Sequence, residues 1–309
     1  GGALFAWGTI NFKNTGSILF SNNSTGQSPH EDYSNIGGAI YAGASNSGSE
    51  NLKDYIPAGD VAVTFQNING SITFEGNSAW MAGAIYAYAG TVDGKEGPGG
   101  GMKIDTVAGD VIFKNNVADS GALVSAYNGN YGAIYSGQDL TISNVQGDLR
   151  FDGNRAANNV GAFGVSGNVI LNNIGSITFI NNSAGNTYAV GWITNDWTVT
   201  NTGDITISDN SSGKQMGGIA VFGKTSFAYT GDIKGNSTGG SNGALRFYGD
   251  FSVTNAGDIS ISENNAGNYN GALEISGNTS FTNTGKITMD GNKAGWGYGV
   301  GQFQGDLTF

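Results

Sequence analysis

The chain is written in short alternating phrases. Apolar residues take turns with Ser, Thr, Asn or Asp over a few positions, then a Gly or Asn interrupts, as in "GSITFEGN" from Gly70 and "WTVTNTG" from Trp197. Alternation with period two over so few residues predicts short half-buried strands. No stretch sustains helical spacing, and no hairpin signature joins neighbouring phrases.

The phrases repeat. Aligned on its Gly, one line reads GSILFSNN at Gly16, GSITFEGN at Gly70, GDVIFKNN at Gly109, GDLRFDGN at Gly147, GSITFINN at Gly175, GDITISDN at Gly203, GDISISEN at Gly257 and GKITMDGN at Gly285. A shortened copy, GDIKGN, starts at Gly231. Each unit holds three strand-like pieces: a Gly-Ala-hydrophobic piece (Gly38-Ala39-Ile40, Gly83-Ala84-Ile85), a piece ending at the aligned Gly, and the line that closes on Asn. A strand triplet that cannot bury its inner face alone, repeated about nine times at ~28 residues, predicts an all-β fold, a right-handed single-stranded parallel β-helix. Coils ~4.8 Å apart would make a rod about 45 Å long. Residues 1–309 are expected to form one continuous solenoid, with insertions decorating 1–160 and regular coils over 161–309.

Two columns then acquire structural roles. Asn closes the unit at Asn23, Asn77, Asn116, Asn154, Asn182, Asn210, Asn236, Asn264 and Asn292. One amide per coil, able to donate to one neighbour and accept from the other, predicts a stacked Asn ladder, and Asn also tolerates the left-handed backbone of a sharp corner. The Gly-Ala pair is expected where the coil bends closely or approaches a neighbouring backbone.

Composition narrows the function classes. With 13 Lys and Arg against 24 Asp and Glu, the net charge of −11 repels phosphate backbones, so nucleic acid is not an expected partner. The absence of Cys excludes disulfides and thiolate metal sites. No apolar run approaches the ~20 residues of a membrane helix, so this segment is not expected to insert in a membrane. The chain begins inside a coil at GGAL and stops at GDLTF, which reads as an internal piece of a longer protein.

Insertions are the strongest functional signal, since solenoids accept them at corners and binding residues gather on such loops. They fall near 24–37, 42–60, 87–101 and 117–131 and carry His30, Asp32, Tyr33, Asp54, Tyr55, Asp93, Tyr127 and Tyr131. Beside them runs an aromatic column. The residue after the Gly-Ala hydrophobic is Phe5, Tyr41, Tyr86 and Tyr135 in the first four coils, then Gly164, Ile193, Ala220, Arg246 and Glu274. Alternation turns these rings away from the core, either as a platform for a glycan or protein or as a ladder stacked on itself. Asp204, Asp232 and Asp258 follow the aligned Gly and are weak candidates for Ca²⁺; no other cofactor or metal is expected. A polysaccharide-processing β-helix is the rival class. Its candidate acids, Glu31 and Asp32 beside the lone His30, Asp54 with Lys53, and Asp93 with Lys95 and Glu96, all sit in insertions.

Gly-Gly-Ala before an aliphatic residue (Gly37-Gly38-Ala39-Ile40, Gly1-Gly2-Ala3-Leu4), together with F-x-x-N (Phe20 to Asn23, Phe74 to Asn77, Phe113 to Asn116, Phe151 to Asn154, Phe179 to Asn182), resembles the repeat of the chlamydial polymorphic membrane proteins. The resemblance implies an autotransporter passenger displayed on the bacterial cell surface and acting in adhesion. Later coils depart from it, with Ile207, Ile261 or Met289 in place of Phe. The expected partner is a protein or glycan on a host or neighbouring cell, with self-association as a further option. A purely structural surface or filament unit is the third reading.

Overall fold

Each phrase pairs with its counterpart one unit later, always in parallel. In the computed structural model, which describes residues 2–6, 8–25, 35–43, 61–88, 91–92, 95–96, 100–119, 129–228 and 230–309, the Gly-Ala strands stack in the order Leu4, Ile40, Ile85, Ile134, Phe163, Gly191, Ile219, Leu245, Leu273 and Gly301. The fold is a right-handed parallel β-helix. Its hand follows the rule for parallel crossovers. Among the described residues the one antiparallel pair is Thr91–Val92 with Lys95–Glu96, inside an insertion.

Coils two to nine carry the three expected strands and a further two-residue one. The Gly-Ala strands form a first sheet, and the second and third strands share another. In two coils these last are continuous, over Leu140–Asp152 and Val169–Ile180, and the bend within them carries one left-handed residue (Asn144, φ 55°; Asn173, φ 55°), as it does at Asn67 and Asn201 in coils where the two strands are separate. The third sheet consists of pairs such as Ser78–Ala79, Arg155–Ala156 and Ser183–Ala184, which are too short to show an alternation in the sequence.

Apolar residues from the first two sheets meet in one continuous core. The Phe of F-x-x-N lies in it as a stack, with centroids 5.0 Å apart for Phe20 and Phe74, 5.1 Å for Phe74 and Phe113, 4.8 Å for Phe113 and Phe151, and 5.4 Å for Phe151 and Phe179. Ile207, Ile233, Ile261 and Met289 continue the column. Neighbouring coils trade volume. Phe163 replaces the usual aliphatic residue in coil five, and the position above it is Gly191, where a Cβ would lie 2.7 Å from the Phe163 ring.

The Asn of F-x-x-N forms an uninterrupted ladder. Asn154 is fully buried: its Oδ1 accepts from the backbone N–H of Asn116 (3.0 Å) and from Asn116 Nδ2 (3.0 Å), while its own Nδ2 donates to Asn182 Oδ1 (3.0 Å) and to the Phe113 carbonyl of the preceding coil (2.8 Å). The same pattern links Asn23, Asn77, Asn116, Asn182, Asn210, Asn236, Asn264 and Asn292. Phe and Asn of the motif are therefore joined across coils, the carbonyl of one Phe holding the next Asn. The left-handed residue of this corner is the one before the ladder: Asn22, Gly76, Asn115, Gly153, Asn181, Asp209, Gly235, Glu263 and Gly291 all have φ between 52° and 66°. The ladder Asn is thus freed from the corner geometry that the sequence assigned to it.

The Gly of the Gly-Ala pair answers to a close approach. A Cβ on Gly132 would sit 1.8 Å from the Gly161 carbonyl oxygen, and one on Gly243 the same distance from that of Gly271. The residue before it is again left-handed, even where it is Val160 (φ 61°) or Met216 (φ 57°), a conformation that branched or bulky side chains adopt only when the surroundings impose it.

Removing one ladder amide orphans buried groups on both sides. Asn154→Ala is expected to cost about 3 kcal/mol or more, whereas Asn173→Gly, which keeps the left-handed bend and gives up one exposed bond to Asn144 (2.9 Å), should cost less than about 1 kcal/mol. Urea unfolding midpoints measure the difference; equal losses would mean that the ladder contributes no more than a surface contact.

Candidate functional site

The column after the Gly-Ala hydrophobic runs along the outer face of the first sheet. Phe5, Tyr41, Tyr86 and Tyr135 stack there with centroids 5.0, 5.5 and 4.9 Å apart. The coil spacing brings rings on a parallel sheet to stacking distance, so each residue in register continues the pile. The rings do point away from the core, as alternation requires, yet three of them are covered: Tyr41 and Tyr86 are 8% exposed and Tyr135 is 7% exposed. They form a second apolar cluster with Ile36 and Ala82, closed by Met81, Tyr88 and Tyr131. Phe5 alone is open, at 52%.

Tyr131 ends the pile. It stands at a left-handed corner (φ 64°), with its ring 4.7 Å from that of Tyr135, and fills the space above Gly164, where a Cβ would fall 2.2 Å from its Cε1. The Tyr135 hydroxyl shares a 3.1 Å hydrogen bond with that of Ser166. A ring stacked on both faces offers a partner its edge and hydroxyl, so the chemistry left to Tyr86 is narrow. His30, Asp32, Tyr33, Asp54, Tyr55, Asp93 and Tyr127 lie outside the described residues.

Aspartates proposed for Ca²⁺ do not share one column. Gly231 pairs with Ile205 and Ile259, not with Gly203 and Gly257, because this coil is two residues shorter within the same line. Asp232 therefore sits level with Thr206 and Ser260, while Thr230 stands between Asp204 and Asp258. The side chains of this column cap the next coil instead: Asp110 Oδ1 accepts from the Asp148 N–H (2.9 Å) and Asp258 Oδ1 from the Lys286 N–H (2.8 Å). Among the described residues no group of three His, Asp or Glu converges on a point.

Further along the first face lies a surface that the alignment missed. The register places Trp192, not Ile193, level with Gly164 and Ala220. Counting would have found it, since the column residue stands ten places after the ladder Asn in each of these coils (Asn154 and Gly164, Asn182 and Trp192, Asn210 and Ala220, Asn236 and Arg246, Asn264 and Glu274). Gly191 resembles the Gly of a Gly-Ala pair but occupies the hydrophobic slot, level with Phe163.

Around Arg246 the face becomes polar and aromatic together. Its guanidinium is 3.0 Å from the Glu274 carboxylate and lies 4.3 Å over the Tyr248 ring, which in turn stacks nearly parallel on Phe222 at 4.4 Å. Trp192 meets Phe222 edge-on at 6.2 Å. Burial pushes the Tyr188 hydroxyl up, with Tyr248 adding to the shift and Arg246 opposing it. Beside them is a shallow groove of about 270 Å³, floored by Asn242, Asn270, Arg246 and Glu274 and edged by Gln215 and Tyr269. A larger concavity of about 570 Å³ follows the bend at Asn67, Thr106, Asn144 and Asn173, and is bordered by amides and backbone without an aromatic ring.

Residues 17–43 match the Chlamydia polymorphic membrane protein (Chlamydia_PMP) repeat. The match spans Phe20 to Asn23 and Gly37 to Ile40, so it contains one F-x-x-N, with the first rung of the ladder, and one Gly-Gly-Ala-Ile, with the first strand to stack on another coil's. The likeness read from the sequence is supported over these residues. No solved structure matches the chain.

The tyrosine cluster has a pH signature. Burial, with Tyr88 adding to it, pushes the Tyr41 hydroxyl from 10.0 up to about 12; Tyr86 is raised well above 10.0 by burial, then by Tyr135 and its other ring neighbours. Below pH 10 both states keep these protons and no stability is lost. Between pH 10 and about 12 the unfolded chain ionises first, so stability should fall across that window. Phenolate absorbance should rise late for Tyr41 and Tyr86, with the delay abolished in urea; ionisation of all tyrosines near pH 10 in the folded protein would contradict the burial.

Proposed function

We propose that the chain is part of a surface-displayed passenger that acts in adhesion, with the solenoid as a stiff stalk presenting the insertions of coils one to four and the open Phe5 to a protein or glycan on another cell. The observation that carries this reading is the polymorphic membrane protein repeat at 17–43, placed where one coil hands over to the next in a continuous β-helix. A net charge of −11 favours binding a protein or glycan over phosphate chemistry.

A second reading, the stalk without a specific ligand, is favoured by the burial of Tyr41, Tyr86 and Tyr135, which spends their faces on one another. Adhesion of coated beads separates the two. Beads carrying the chain are expected to hold to cultured epithelial cells above albumin-coated beads, and replacing residues 44–60 by a short Gly-Ser turn should reduce this about tenfold, the loss of one strong contact. Equal adherence of chain-coated and albumin-coated beads would remove adhesion and leave the stalk.

A further inference from the structure

We propose that the groove at Arg246 is a binding subsite for a neutral oligosaccharide. Its floor is made of planar polar groups at close quarters. Arg246 and Glu274 neutralise each other at 3.0 Å, and Asn270 donates from Nδ2 to Asn242 Oδ1 (3.0 Å) and to Glu274 Oε2 (3.3 Å). Two atoms of these residues are buried without a protein partner: Asn270 Oδ1, in a residue that is 2% exposed, and Arg246 Nε. One is an acceptor and the other a donor. At the groove itself the partly exposed Arg246 guanidinium donates and the Glu274 carboxylate accepts, so a sugar hydroxyl can meet both, which a one-sided ligand such as an ammonium or a carboxylate cannot do.

The rim supplies what a pyranose needs for its apolar face. Tyr269 is 54% exposed and rests on Gly297, a left-handed glycine (φ 87°) where any Cβ would come within 2.9 Å of the ring. The ring is thereby seated across the corner at the edge of the groove, an apolar surface beside a polar floor. Outside the groove's lining, the Tyr248 ring lies 4.3 Å under the Arg246 guanidinium and stacks on Phe222, an arrangement that holds the floor's cation in place. About 270 Å³ is below the ~300–1,000 Å³ of pockets for drug-sized ligands and suits one or two sugar rings.

Charge selects the class. The paired Arg246 and Glu274 leave no net charge on the floor, and the chain as a whole is acidic, so sialylated or sulfated sugars gain nothing here. This subsite lies on coils seven to nine and does not depend on surface display or on the insertions of coils one to four.

The probe is an array of immobilised neutral oligosaccharides ending in galactose, glucose, mannose or N-acetylhexosamine, printed beside sialylated forms of the same glycans. The whole chain is expected to bind neutral members. Tyr269→Ala and Arg246→Ala should each weaken the best hit about tenfold or more, the scale of one hydrogen-bonded or stacked anchor, and Glu274→Gln should shift preference toward the sialylated forms by uncovering the Arg charge. Should Arg246→Ala lower the thermal midpoint, Gln302→Ala, at the end of the groove, gives the same reading without disturbing the floor. Absence of neutral hits, hits that Tyr269→Ala and Gln302→Ala leave unchanged, or hits lost in Phe5→Ala and kept in Tyr269→Ala would each overturn the subsite, and none of them bears on whether beads adhere to cells.

Discussion

Every feature of this rod depends on hydrogen bonds that run from one coil to the next. The strands are too short to stand alone, and no strand of the described solenoid pairs with its immediate neighbour in sequence; each finds its partner a full unit away. Parallel pairing at such separation offers little local reward, so register has to be held by something beyond backbone bonds. The buried Asn ladder holds it. A side chain whose acceptor takes two protons from one coil and whose donors go to both neighbours has one position along the rod in which all its demands are met.

With register fixed, side chains separate into those that build the coil and those that decorate it. Phe, Ile and Asn of the repeated line are consumed by stacking and cannot also face a ligand. The outer face of the first sheet is freer, and it is used in two ways: the first coils pile tyrosines into a covered ridge, and later ones open into a charge-balanced groove. The transition falls at Gly164, where the pile is closed by Tyr131 instead of by another ring of the column.

The coil, its length and the Phe and Asn columns were legible because there residue identity and structural position coincide in nearly every unit. Legibility failed where they part. Gly191 looks like the Gly of a Gly-Ala pair but fills the slot left by the large Phe163, and this moved Trp192 out of view. Gly231 looks like the aligned Gly but stands two places on, since coil seven is shortened inside the line itself. The two-residue strands after the ladder carry too few positions to show a period. Burial of Tyr41 and Tyr86 was hidden for another reason: alternation gives the side of a sheet on which a ring lies, and not what closes over it.

The ladder amides all point the same way along the rod, each Nδ2 toward the next coil's Oδ1. Were a single ladder Asn turned over, its Nδ2 would meet the N–H and Nδ2 of the coil before it, and its Oδ1 would meet a Phe carbonyl and the Oδ1 of the next ladder Asn, so four like contacts would form in a dry interior. Each coil thus copies an orientation from the last, as a printed line copies its type. A coil laid down one residue out of place fails that check at once, which makes the ladder a proofreading device for a chain whose repeats are otherwise similar enough to be mistaken for one another.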